Sequence, residues 1–215
     1  MTMDDEETAG SGWRGSREAW LGAGYQALIE GGIEAVKIQP LAKRLNLSRT
    51  SFYWFFHDRE ALLNALLEGW GERTTAPLIG AAQTYADSRA EAMLNVLACF
   101  LSGDFDSRLE FAVRSWALQQ PDVAARVGAA DEVRLQALRD MLGRWGHEAT
   151  QADIRARTIY LTQIGYISMQ VAEDPETRLA RIPTYVQIFT GDLPQDRELA
   201  RFHAGLGLTR TGSAP

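Results

Sequence analysis

The stretch Ile38–Trp54 constrains this chain most. A short helix opening at Pro40, a tight turn at Asn46 and a second helix after Leu47 leave little room for anything but two crossed helices. Pro suits the first turn of a helix because its missing N–H would be unpaired there anyway. Ala42 is small enough to lie where the two helices cross. Four positions on, Asn46 tolerates the left-handed backbone that a tight turn demands. Leu41, Leu45, Leu47 and Phe52 supply apolar pins on both sides of the turn. Ser48 is a good helix N-cap, and Ser48, Arg49, Thr50 and Ser51 then place polar groups on the second helix's first turn. In a helix-turn-helix that turn meets base edges in the major groove. Arg49 can give two hydrogen bonds to a guanine and Thr50 can touch a thymine methyl. The same spacing also fits an ordinary helical hairpin with a solvated polar face.

Around this stretch the pattern is helical throughout, predicting an all-α fold. Ser16 can cap a first helix carrying Trp20, Leu21, Gly24, Tyr25 and Leu28 on one face, stopped by Gly31-Gly32. The third helix is expected to run from Arg49 to about Phe55. Asp58 is a good cap for a fourth, through Ala61, Leu62, Ala65, Leu66 and Trp70. Thr74-Thr75-Ala76-Pro77 predicts a break between two parts. Beyond it the pattern predicts helices near 78–86, 89–102, 106–119, 122–145, 150–172 and 176–190, the last kinked or split at Pro183. This divides the chain into an acidic tail over 1–13, a three-helix helix-turn-helix domain over 14–74, a second helical domain over 75–200 and a flexible tail over 201–215. No strand-like alternation bounded by hairpin turns occurs.

The single cysteine, Cys99, excludes an internal disulfide framework and suits a reducing compartment. No apolar run approaches the length of a membrane span and the start is acidic rather than basic then apolar, so a cytoplasmic protein is expected. The net charge of −6 argues at first against nucleic acid. Its distribution does not. Asp4, Asp5, Glu6 and Glu7 load the first 13 residues, whereas residues 14–73 hold eight basic side chains against seven acidic. DNA responds to local cations rather than to the total. His57, His147 and His203 are dispersed, with no Glu-x-x-His pair on any helix, which argues against a carboxylate-bridged metal enzyme. No metal, no cofactor and no enzymatic activity are expected.

Gly32-Ile33-Glu34-Ala35-Val36, then Pro40-Leu41-Ala42-Lys43-Arg44-Leu45-Asn46-Leu47-Ser48, then Ser51-Phe52-Tyr53-Trp54-Phe55-Phe56-His57-Asp58-Arg59-Glu60-Ala61-Leu62-Leu63 together resemble the N-terminal domain of TetR-family transcriptional regulators. The resemblance covers about residues 16–70; beyond it only the helical architecture matches. It implies that Gln39 reads a base and that Arg49, Thr50 and Ser51 form the base-facing turn. Tyr53 and Trp54 would lie against the sugar-phosphate backbone, and Arg59 would contact a phosphate. Three departures stand out: Asn46 in place of the usual turn Gly, Phe55 where Tyr or His is frequent, and Lys37 where Ser or Thr often caps the second helix, leaving Lys37 to meet a phosphate. Core packing is the alternative for Tyr53 and Trp54; Phe52 and Phe56 read as core.

The resemblance further implies a homodimer on a palindromic double-stranded operator, and a C-terminal domain that binds a small-molecule effector and releases the DNA. On the eighth helix Ile154, Leu161, Ile164, Ser168 and Val171 form a heptad-like stripe, with Gly165 small enough for close contact; Val186 and Phe189 continue it on the last helix. Burial within one subunit is the competing reading. Trp70, Phe100, Trp116, Trp145 and Tyr166 belong to a dense aromatic set that either lines a pocket for an apolar or aromatic molecule or packs as plain core, with Gln163 a polar contact. A helical interaction module whose helix-turn-helix no longer binds DNA is the alternative to a regulator.

Overall fold

The computed structural model describes residues 15–207, all helices and turns with no strand among them. They form two compact units, divided between Leu66 and Leu67. The expected acidic tail lies outside the described residues.

In the first unit α1 (Arg17–Gly31) starts where Ser16 Oγ accepts the Ala19 N–H at 3.1 Å. It buries Trp20, Ala23, Gly24, Ala27 and Leu28. At Gly24 a Cβ would stand 3.3 Å from a Leu66 methyl, so glycine lets α1 lie close to the fourth helix. Gly32 ends α1 at φ 69°, ψ −171°, a conformation open to glycine alone. A 3₁₀ turn (Ile33–Ala35) leads into α2 (Ile38–Leu45). Asn46 takes the left-handed conformation expected of it, φ 54°, ψ 42°, and the Leu47 N–H closes the turn on Ala42 O at 2.9 Å. The third helix is shorter than expected: α3 (Arg49–Phe52) is a single turn capped by Ser48, and Tyr53–Phe55 continue as turns. Phe52 is its anchor, edge-on to Trp20 at 5.1 Å and stacked on Phe56 at 5.5 Å. Then α4 (Arg59–Gln83) begins where Asp58 Oδ1 accepts the Ala61 N–H.

The break expected at Thr74–Pro77 does not occur; α4 runs through it. Pro77 has no N–H for the Arg73 carbonyl. That carbonyl accepts the Asp106 N–H instead, at 3.1 Å, so the helix keeps its path with a donor from elsewhere in the second unit.

The second unit continues with α5 (Arg89–Ser102), α6 (Ser107–Ala117), α7 (Pro121–Arg144) and α8 (Ala149–Ser168), close to the expected spans. The expected helix over 176–190 is split as Pro183 suggested, into α9 (Pro175–Ala180) and α10 (Ile182–Thr190). The tail expected from 201 is corrected by α11 (Asp196–Gly205), which packs on α5 with Phe202 in the core. Its start is a capping box between Gln195 and Glu198, easily overlooked because Gln replaces the usual hydroxyl residue. Residues 208–215 lie outside the described ones.

A buried polar cluster crosses this core. Arg134 of α7 and Glu110 of α6 are both fully buried and pair at 2.9 Å. Arg134 also donates to Thr74 Oγ1 (2.7 Å), Thr75 Oγ1 (3.0 Å) and Tyr160 (2.8 Å), and stacks over Trp70 at 4.9 Å. Trp70 Nε1 donates to the second oxygen of Glu110 at 2.6 Å. Removing one partner of such a cluster strands the other in a dry interior. Glu110→Leu leaves Arg134 and the Trp70 N–H short of acceptors and should cost about 3–5 kcal/mol of the second unit's stability in denaturant unfolding. A loss under about 1 kcal/mol would mean that water or rearranged neighbours replace the carboxylate.

Candidate nucleic-acid interface

In the first unit the short α3 divides its side chains between the core and the surface. Ser51 and Phe52 point inward; Arg49, Thr50, Tyr53 and Trp54 point outward, at the i, i+1, i+4, i+5 spacing of one helical face. Tyr53 is 48% exposed and Trp54 67%, which removes core packing as their role. Arg49 Nη2 donates to the Tyr53 hydroxyl at 3.2 Å. The phenol therefore accepts from Arg49 and can still donate its own proton. Gln39 and Lys37 are exposed at the start of α2. Lys37 caps nothing with its side chain and pairs loosely with Glu34 at 3.5 Å.

Two expected contacts are corrected. Ser51 is buried: its hydroxyl donates to Ser48 O at 2.8 Å, and its N–H is the one Ser48 Oγ caps. It holds the first turn of α3 together and does not reach outward, while Ser48 itself is exposed but engaged as the cap. Arg59 is the second. Its Nε donates to Val36 O at 2.6 Å and its Nη2 to Ile33 O at 2.9 Å. These carbonyls belong to the 3₁₀ turn and the residue that ends it, so Arg59 fastens the start of α4 to the segment before α2 instead of pointing at a phosphate. The cation that sequence reasoning passed over is Lys43, exposed on α2 with no ion-pair partner among the described residues. Arg44 next to it is taken by both oxygens of Glu30, at 2.9 and 2.8 Å.

In the second unit the aromatic set divides. Trp70, Phe100 and Trp116 are buried in the unit's own packing, as is Gln163. Trp145 and Tyr166 are half-buried, Tyr166 against the Tyr185 hydroxyl at 3.0 Å and under the Arg178 guanidinium. None of the six lines an open groove of about 500 Å³ between α6, α7 and the end of α8. The apolar stripe divides likewise. Ile154 and Leu161 are 60% and 62% exposed on α8, and Ser168 and Val171 are exposed beyond them with Gly165 half-buried. Ile164, Val186 and Phe189 are corrected: all three are spent in the protomer's own core, where α10 packs on α5 and α8. Ile188 and Leu193 are the exposed apolar residues of that region instead.

Among the described residues no group of acidic, His or Cys side chains is arranged to hold a metal ion, and no helix is long and apolar enough to cross a membrane. Burial pushes the Cys99 thiol up to about 12, so it is an inert core residue.

Geometry of this kind defines a helical protein with an N-terminal helix-turn-helix. Residues 21–66 match the family model described as bacterial regulatory proteins, tetR family. Solved structures agree on the fold. GusR of Salmonella enterica superposes with a TM-score of 0.61 at 14% identity, covering 89% of this chain and 95% of that one. The fatty acid degradation regulator FadR of Bacillus halodurans gives 0.62 at 14%, covering 88% and 100%. The TetR-family regulator PfmR of Thermus thermophilus gives 0.59 at 19%, covering 82% and 99%. No curated protein matches the chain. The helix-turn-helix segment over 21–66 is thus similar to the tetR-family DNA-binding domain, and the chain as a whole has the helical fold of these solved regulators.

Arg59 and Arg49 should now separate cleanly. Arg59→Ala strips donors from two carbonyls and should lower the first unit's stability by about 1–3 kcal/mol in thermal unfolding. Arg49→Ala should leave stability within about 0.5 kcal/mol. Equal melting temperatures for the two variants would remove the fastening role of Arg59.

Proposed function

We propose that the chain is a homodimeric transcriptional repressor that binds a palindromic operator and leaves it when a small apolar effector binds the second unit. The observation that carries the DNA-binding half is the outward face of α3. Arg49, Thr50, Tyr53 and Trp54 are exposed, as are Gln39, Lys37 and Lys43, while the intervening Ser51 and Phe52 are buried. Arg49 and Thr50 are the base readers and Gln39 a third. Tyr53, Trp54, Lys37 and Lys43 serve the backbone. Ser48 shapes the turn from which they project.

Dimerisation draws on Ile154 and Leu161, two large apolar side chains one heptad apart on the outer face of α8, with Ile188 and Leu193 on the neighbouring segment. Leaving such groups in water costs about 25 cal/mol for each Å² of apolar surface. A second copy related by a two-fold axis covers them and sets two recognition helices roughly one turn of DNA apart. Repression and effector release are the arrangement that the family resemblance implies.

Gel shifts on the DNA upstream of the chain's own gene should show retention that weakens steeply with salt. Arg49→Ala should cost about 1–3 kcal/mol and relax base preference, whereas Lys43→Ala should weaken all sequences alike. Absence of any salt-sensitive retention would remove the DNA-binding reading. Separately, Leu161→Glu should convert a dimer to a monomer in light scattering; a wild type that is already monomeric would remove the two-fold arrangement.

A further inference from the structure

The groove between α6, α7 and the end of α8 is walled by apolar side chains, Phe111, Leu118, Ala124 and Val127 among them. Leu118 is 89% exposed, and the volume of about 500 Å³ is in the range of small-molecule sites. Its charged groups are Arg114 and Asp131, and they are locked to each other. Arg114 Nη1 donates to Asp131 Oδ2 at 3.1 Å and Nη2 to Asp131 Oδ1. Nε is held by Glu110 at 2.7 Å, and Nη2 also reaches the Tyr160 hydroxyl at 3.0 Å. Tyr160 in turn donates to Asp131 Oδ1 at 2.7 Å. A guanidinium has five N–H groups, so one remains, on Nη1.

We propose that this groove is a ligand site for an uncharged, mainly apolar molecule with a single hydrogen-bonding group, such as an alcohol or ketone, and that it discriminates against carboxylates and amines of the same size. The remaining Nη1 proton meets one neutral acceptor. An anionic head on that proton would stand beside Asp131, whose Oδ2 is held by the same nitrogen, and to pair fully it would have to take Arg114 from that carboxylate. A cationic head would take Asp131 and face Arg114 and Arg134. Each strands one member of a partly buried pair. The site also has a route to regulation, which rests on the effector-released reading above: Glu110 and Arg134, directly behind Arg114 and Asp131, are the groups that hold Trp70, Thr74 and Thr75 of α4.

Calorimetric titration of the full chain at about pH 7 with 1-decanol, decanoate and decylamine tests this. Decanol should bind saturably and the two charged probes at least about tenfold more weakly. Asp131→Asn frees Arg114 and should raise decanoate affinity about tenfold relative to decanol. Gly128 lines the groove, and a Cβ there meets nothing within 4 Å. Gly128→Leu should therefore fill the groove and weaken decanol about tenfold, with circular dichroism and melting temperature checking that the fold persists. The proposal is overturned if decanol does not saturate, if either charged probe binds as tightly, or if Gly128→Leu binds decanol like the wild type. A gel shift with decanol separates the two readings. Decanol bound in a Gly128-sensitive way with DNA retention unchanged supports the groove and removes effector release. Decanol releasing DNA equally from wild type and Gly128→Leu removes the groove.

Discussion

The buried pair of Glu110 and Arg134 is the constraint around which the second unit is organised. An arginine out of water is tolerated only when its charge is balanced and its N–H groups are occupied. Here the carboxylate of α6, two threonine hydroxyls of α4 and the phenol of α8 occupy them. The Trp70 and Phe105 rings cover its faces. Four helices are therefore bound to one guanidinium. Burial pulls the Arg134 proton toward release, yet the Glu110 charge and the Tyr160 hydroxyl hold it above the ordinary arginine value. Burial likewise pushes the Tyr160 hydroxyl up, so it stays protonated and able to donate to Asp131.

The first unit solves its smaller problem differently. It buries Trp20, Phe52 and Phe56 as an aromatic anchor and turns its polar side chains outward. A one-turn helix such as α3 has little hydrogen bonding of its own, so its direction depends on the Phe52 contact and on the Ser48–Ser51 cap. Arg59 completes the frame by satisfying the carbonyls of Ile33 and Val36. The side chains that remain exposed are those the frame does not use.

Much of this was legible along the chain. The turn at Asn46, the caps at Ser16, Ser48 and Asp58 and the split at Pro183 follow from residues whose partners lie within a turn of helix. On α3 the outward set was legible except at Ser51, because a polar residue that faces outward and a polar residue closing the turn look alike until the hydroxyl's acceptor is known. Pro77 misled for a related reason. Its missing donor is a local fact, while the replacement from Asp106 comes from a distant segment, beyond the end of α5. The stripe on α8 and α10 misled because apolar periodicity marks a buried face without saying whose atoms bury it.

The amino-acid sequence by itself determined an all-helical chain with a helix-turn-helix, since helix periods, caps and turn conformations depend on neighbours three or four positions apart. Only the tertiary structure decided which cations of the first unit stay exposed, which carboxylate neutralises the buried Arg134, and which of the stripe's residues remain in water. Those choices depend on partners such as Val36 for Arg59, 23 positions away, and Thr74 for Arg134, 60 away. Such pairs arise from packing geometry, which local sequence does not encode.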